Sequence, residues 1–178
     1  MDALQTIITS VLAAGTAILA SHLTNKANLE RLDHQAKLDH EKERDKALRE
    51  MREQIYHAIF NWTGTTTSRH VAFISLIQGR STWDQYLEHT GNVKENPDIQ
   101  VGIIEYRVNA YFPDLVPHWV TLMSAFRALA AVWVAYASAK NFGKENELNL
   151  HEPAKQAIDS FIKATDEFKK KILTSSAA

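Results

Sequence analysis

The sequence predicts an all-α chain. An N-terminal single transmembrane helix continues into a long charged helical stalk, and a compact antiparallel helical bundle follows. Three observations carry this. Apolar residues recur at three- and four-residue steps through most of the 178 residues. No useful stretch alternates with period two, and no Asn-Gly or Asp-Gly hairpin turn occurs. The 6 glycines and 4 prolines are few for a β sandwich, whose turns recur every ~8–12 residues.

From Ala3 to Leu23 the only titratable side chain is His22. About 20 residues at ~1.5 Å each just span a hydrocarbon layer of ~30 Å. Leu4, Ile7, Ile8, Val11, Leu12, Ile18 and Leu19 share one helical face. On the other, Thr9, Ala13, Ala17 and Ser21 form a small-xxx-small row, which in lipid lets two backbones approach closely. The expectation is an anchor over residues 1–24, meeting membrane lipid through residues 3–23 and self-associating through that row into a homo-oligomer. Lys26 and Arg31 follow the span and only Asp2 precedes it, so the positive-inside rule puts the N-terminus outside and the bulk of the chain in the cytoplasm. Two other readings exist: a soluble amphipathic helix masked by a partner, and a helix lying flat in the interface, although its polar face lacks the Lys and Arg that this favours. Met1-Asp2 offers no positive n-region for a cleaved secretory signal.

Residues 25–54 read as the stalk. Neither Pro nor Gly occurs there, and acids precede bases at i,i+4 in Asp33/Lys37 and Asp45/Arg49, each pair contributing ~0.2–0.5 kcal/mol. Leu29, Leu32 and Ala36 extend a heptad seam begun at Leu4, Ile8, Val11, Gly15 and Ile18, until Asp39, Glu43 and Lys46 fall on it. Apolar residues resume at Ala47, Leu48, Met51, Ile55, Ala58, Ile59 and Trp62. One helix is therefore expected from near Ala3 to near Trp62.

Residues 55–173 read as the bundle, with a frayed tail over 174–178. Breaks are expected at Thr63-Gly64-Thr65, Gly79-Arg80-Ser81, Gly91 to Asp98, Pro113 to Pro117 and Asn141 to Asn149. Ser68 to Gln78 should present Val71, Ile74 and Ile77, and Ser81 should cap a short helix with Asp84 in its first turn. Pro97, Pro117 and Pro153 each suit the start of a helix, and Gly143 suits the position just past an end. The helix from Pro117 is almost membrane-length. Its seam of Trp119, Leu122, Phe126, Leu129, Trp133 and Tyr136, with Arg127 mid-segment, favours a central bundle helix over a second span.

Chemistry is sparse. The chain has no cysteine, which removes disulfides, thiolate nucleophiles and Cys-based metal sites. Lys and Arg number 20 against 21 Asp and Glu, so net charge gives no pull toward nucleic acid. The last-helix lysines Lys163, Lys169, Lys170 and Lys171 are interleaved with Asp159, Asp166 and Glu167. None of the 8 histidines forms an HExxH or Glu-x-x-His pattern, and Glu30/His34 and Glu53/His57 read as helix-surface contacts. No phosphate loop or nucleophile elbow occurs. No enzyme activity, catalytic residue, cofactor or metal is expected. The rigid corner Tyr111-Phe112-Pro113-Asp114-Leu115-Val116-Pro117-His118-Trp119 offers Tyr111, Phe112, Asp114 and Trp119 to a protein partner, unless its aromatics face inward. The leading expectation is a scaffold, adaptor or sensor. Its rivals are an oligomeric pore-forming effector gated by its bundle and a soluble adaptor with a masked first helix.

Overall fold

The computed structural model describes residues 2–91, 97–145 and 148–174, with side chains for 15–91, 101–145 and 148–174. Among them are five α-helices and no strand: α1 (Asp2–Ile77), α2 (Trp83–Gly91), α3 (Pro97–Tyr111), α4 (Val116–Asn141) and α5 (His151–Thr174), with a 3-10 turn at Pro113–Leu115. The chain divides into two compact units, Met1–Ala47 and Leu48–Ala178.

The first unit is the opening part of α1. From Gly15 to Ala47 every residue is exposed. Charge spacing supports the helix locally: Lys37 and Asp33 pair at 2.9 Å, and Lys42 and Asp39 at 3.5 Å. Asp45 lies 3.6 Å from its neighbour Arg44 rather than in the expected pair with Arg49. All these groups are more than half exposed, so each pair contributes at most a few tenths of a kcal/mol.

The second unit is a helical bundle. Ile55, Ile59 and Trp62 of α1 share a core with Ile104 and Val108 of α3, Phe112 and Leu115 of the corner, Trp119, Leu122 and Leu129 of α4, and Phe161 and Phe168 of α5. Trp62 sits among three rings, Trp119, Phe126 and Phe161, with centroids 6.2, 5.1 and 5.7 Å away. A second, smaller core joins Phe73 and Leu76 to Tyr86, Tyr136 and Ala154, and Ile74 and Val132 pack against both. Helix α5 is strongly amphipathic, burying Ala154, Ala157, Ile158, Phe161, Ala164, Thr165, Phe168 and Ile172.

Several sequence expectations need correction. Helix α1 does not break at Thr63-Gly64-Thr65 but runs on to Ile77. The Thr63 hydroxyl donates to the Ile59 carbonyl at 2.7 Å, so the threonine turns its polarity back onto its own helix, and Thr63 and Thr66 are buried. A helical glycine costs ~1 kcal/mol, which burial of Trp62 and Phe73 on either side outweighs. The buried face beyond that point is His70, Phe73 and Leu76, while Val71 is exposed. Helix α1 then ends as expected at Gly79: with φ +68°, Gly79 donates to Leu76 and Arg80 to Ser75, a Schellman closure.

Helix α2 is capped by Thr82 rather than Ser81. The Thr82 hydroxyl accepts from the Gln85 backbone N–H at 3.2 Å, and the Gln85 side-chain oxygen accepts from the Thr82 N–H at 2.8 Å. This is a reciprocal capping box, which the shorter Asp84 side chain does not supply to Ser81. Helix α5 begins two residues before Pro153, because the first helical N–H groups have no intrahelical partner and a proline among them loses nothing. Gly143, with φ +67°, closes α4 in the manner of Gly79.

Helix α4, with its preceding turn (Pro113–Asn141), is long and apolar enough to cross a membrane by length and composition. Of the expected seam, Trp119, Leu122, Leu129 and Tyr136 are buried, Phe126 is half-buried and Trp133 is exposed. Only 17% of its most apolar stretch is buried, and Val120, Arg127, Ala131 and Val134 face outward.

Candidate functional site

Three surfaces carry the residues that bear on function. The first is the small-residue row of α1. Thr9 and Ala13 lie outside the residues whose side chains are described. Ala17 and Ser21 are exposed, and with Ile18, His22 and Asn25 they line a shallow open concavity of about 450 Å³. It offers one hydroxyl, one imidazole and one carboxamide beside an aliphatic edge. That arrangement suits helix packing and carries no catalytic grouping.

The second is the corner between α3 and α4. The 3-10 turn closes with the Leu115 N–H donating to the Phe112 carbonyl at 2.9 Å. This points Phe112 and Trp119 into the core, where they are 0% and 2% exposed, so both anchor this chain's own packing. Burial withdraws these two from the surface offered to a partner. Tyr111 and Asp114 stay exposed. The Tyr111 ring meets exposed Tyr106 edge-on at 6.5 Å, and Ile103 is exposed on the same helix.

The third is a cleft that the sequence did not suggest. Ser68, Val71, Ala72 and Ser75 on α1 face Ser81, Gln85, Tyr86 and His89 on or beside α2 across about 610 Å³. Ser68 Oγ lies 3.3 Å from His89 Nε2. The pair has the contact of a nucleophile and its base. Ser68, however, stands mid-helix, where the backbone N–H groups are already committed to the ladder, leaving no oxyanion donors beside it. Polar groups that both donate and accept, with no carboxylate, ammonium or guanidinium in the lining, fit a neutral hydrogen-bonding surface.

On the core side of the same stretch of α1 lies His70, 5% exposed, with Nε2 unpartnered and its ring 5.5 Å from Phe73. Burial pushes its pKa down from 6.5 to about 4, partly offset by a hydrogen bond to the Ala154 backbone. Burial likewise raises the Tyr86 phenol, against smaller opposing effects of a hydrogen bond to Trp133 and the Arg69 charge. The signal for His70 was present as spacing: it falls three residues before Phe73 and four after Thr66, on the buried stripe. The assumed break at Gly64 hid that phase.

Glu30, His34, Glu53 and His57 are all exposed. Among the described residues, no three His, Asp or Glu side chains converge in a way that holds a metal ion. No family model, curated protein or solved structure matches the chain.

Proposed function

We propose that this protein is a non-enzymatic, membrane-anchored scaffold, adaptor or sensor. Residues 3–23 form a single transmembrane helix with the N-terminus outside. The chain self-associates through Thr9, Ala13, Ala17 and Ser21, and its helical bundle meets a protein partner on the cytoplasmic side. The observation that carries this is the run of uncovered aliphatic side chains at the end of the uncharged stretch: Ile18, Leu19 and Leu23 are each more than half exposed. Leaving such side chains in water forgoes roughly 1.5–3 kcal/mol apiece, so a lipid or helical covering is strongly favoured. Tyr106 and Tyr111, exposed beside Asp114, are the bundle's candidate contact for the partner.

The test compares the full chain with one lacking residues 1–24. The full chain is expected in the membrane fraction, resistant to alkaline extraction, and oligomeric in mild detergent. The truncated chain is expected to be soluble, with the mass of one copy. Recovery of the full chain as a stable, monodisperse soluble species would instead favour an adaptor whose first helix is masked.

The polar side of the concavity, Ser21, His22 and Asn25, supports a second reading, a wettable oligomeric lesion in the bilayer. Thr9→Ala with Thr16→Ala separates the two. Packing needs only small residues and survives the change, whereas a pore needs wettability and loses ion leakage from loaded vesicles.

A further inference from the structure

Below the anchor, α1 carries aliphatic side chains that lipid does not cover. Leu29 and Leu32 are 67% and 57% exposed. Leu29 and Leu32 are separated from the uncharged stretch by Lys26 and flanked by Glu30, Arg31 and Asp33. A hydrocarbon layer would have to take in those charges, which is costly. A second helix covers the leucines without touching the charges.

The spacing selects that helix. Ile18, His22, Asn25, Leu29, Leu32 and Ala36 follow one another at steps of four, three, four, three and four, an unbroken heptad seam. Two polar residues inside it favour a self-complementary partner. In a parallel, in-register pair Asn25 faces Asn25 of the other copy, and each carboxamide donates to and accepts from the other. A slipped pairing sets Asn25 against an aliphatic side chain and leaves its amide unmet, which is costly. Flanking charges agree: in register, Lys26 lies against Ser21 and Asp33 against Asn28, so no like charges meet. The next seam positions are Asp39 and Glu43, where each acid would face its own counterpart.

We propose that a second copy of this chain covers the seam, pairing parallel and in register from Ile18 to Ala36 and parting at Asp39. This rests on the self-association proposed above and gives it an orientation and an end. The seam borders the small-residue row: Ser21 flanks it, and Ala17 lies farther round the helix.

The absence of cysteine makes the test direct. Single-cysteine variants of the full chain in membranes are oxidised with copper phenanthroline, and disulfide-linked dimer is measured on gels. Equivalent cysteines bond only where their Cβ atoms approach to about 3.5–4.5 Å. Leu29→Cys, Leu32→Cys and Ala36→Cys should give severalfold more dimer than Glu30→Cys and His34→Cys, which point away. Yield should fall at Asp39→Cys and Glu43→Cys.

Equal yield at all positions, or none at the seam, overturns the proposal, and undiminished yield at Asp39 and Glu43 overturns the parting. Dimer at Ala17→Cys without dimer at the seam keeps the small-residue interface and removes the coil. The reverse keeps the coil and removes that interface. A single-copy mass for the native full chain refutes both.

Discussion

Acid should loosen the bundle through His70. Its pKa is about 4 in the folded chain against 6.5 when unfolded, so the unfolded state binds the extra proton between those values. The stabilising contribution is therefore complete above pH 6.5 and is lost progressively as pH falls toward 4. A separation of 2.5 pKa units corresponds to about 3 kcal/mol at the acid limit. By pH 5, where most carboxylates are still ionised, the same linkage removes about 2 kcal/mol. The other described histidines are exposed or half-buried, so His70 should dominate the effect. Urea unfolding of the full chain in neutral detergent, followed by tryptophan fluorescence at pH 7.5, 6 and 5, measures it. His70→Gln keeps an amide donor for the Ala154 carbonyl but does not titrate, and should flatten the dependence over that range. Equal slopes in the two proteins, or stability that rises on acidification, would refute the reasoning.

Two further perturbations probe the fold. Trp62→Ala should destabilise the bundle by about 3–5 kcal/mol, because it empties the site where Trp119, Phe126 and Phe161 converge. Trp62→Phe should cost less, since it retains a ring and removes an indole N–H that has no partner; the same urea titration reads both. Gly143→Ala should cost about 1–2 kcal/mol, all of it backbone strain at φ +67°, because an added Cβ meets no atom within 4 Å. Loss of amide protection over the last turn of α4 is its signature.

Much of the architecture was legible in the residues because its signals are local. Gly79, Gly143 and Pro97 mark helix ends through backbone preferences that act wherever they occur. The apolar seam of α4 is visible as spacing, and Trp119, Leu122, Leu129 and Tyr136 are buried where it puts them. What escaped notice depended on competition between neighbours. Thr63-Gly64-Thr65 has a loop composition, yet Thr63 bonds inward and the packing of Trp62 and Phe73 carries the helix through. A break there shifts the phase of the rest of α1, so Val71 and Ile77 stand in for Phe73 and Leu76, and His70 is hidden. Ser81 and Thr82 are equally good caps by type, and only the reach of Gln85 decides between them. At the corner, Phe112 and Trp119 have the chemistry of a partner anchor and of a core residue alike. Burial separates those roles, and it depends on α1 and α5, which lie far away in the chain.

The two cores of the bundle should open at different free energies. The core around Trp62 draws on α1, α3, α4 and α5, whereas Phe73, Leu76, Tyr86, Tyr136 and Ala154 form a small cluster linked to it by Ile74 and Val132. Cooperative units with fewer buried apolar contacts open at lower free energy. Amide hydrogens of Trp83–Gly91 should therefore exchange through partial openings that leave the Trp62 region shut. Such openings should expose the His70 ring, which packs against Phe73, and acid should make them more frequent, so this end of the bundle is expected to be its conditionally ordered part.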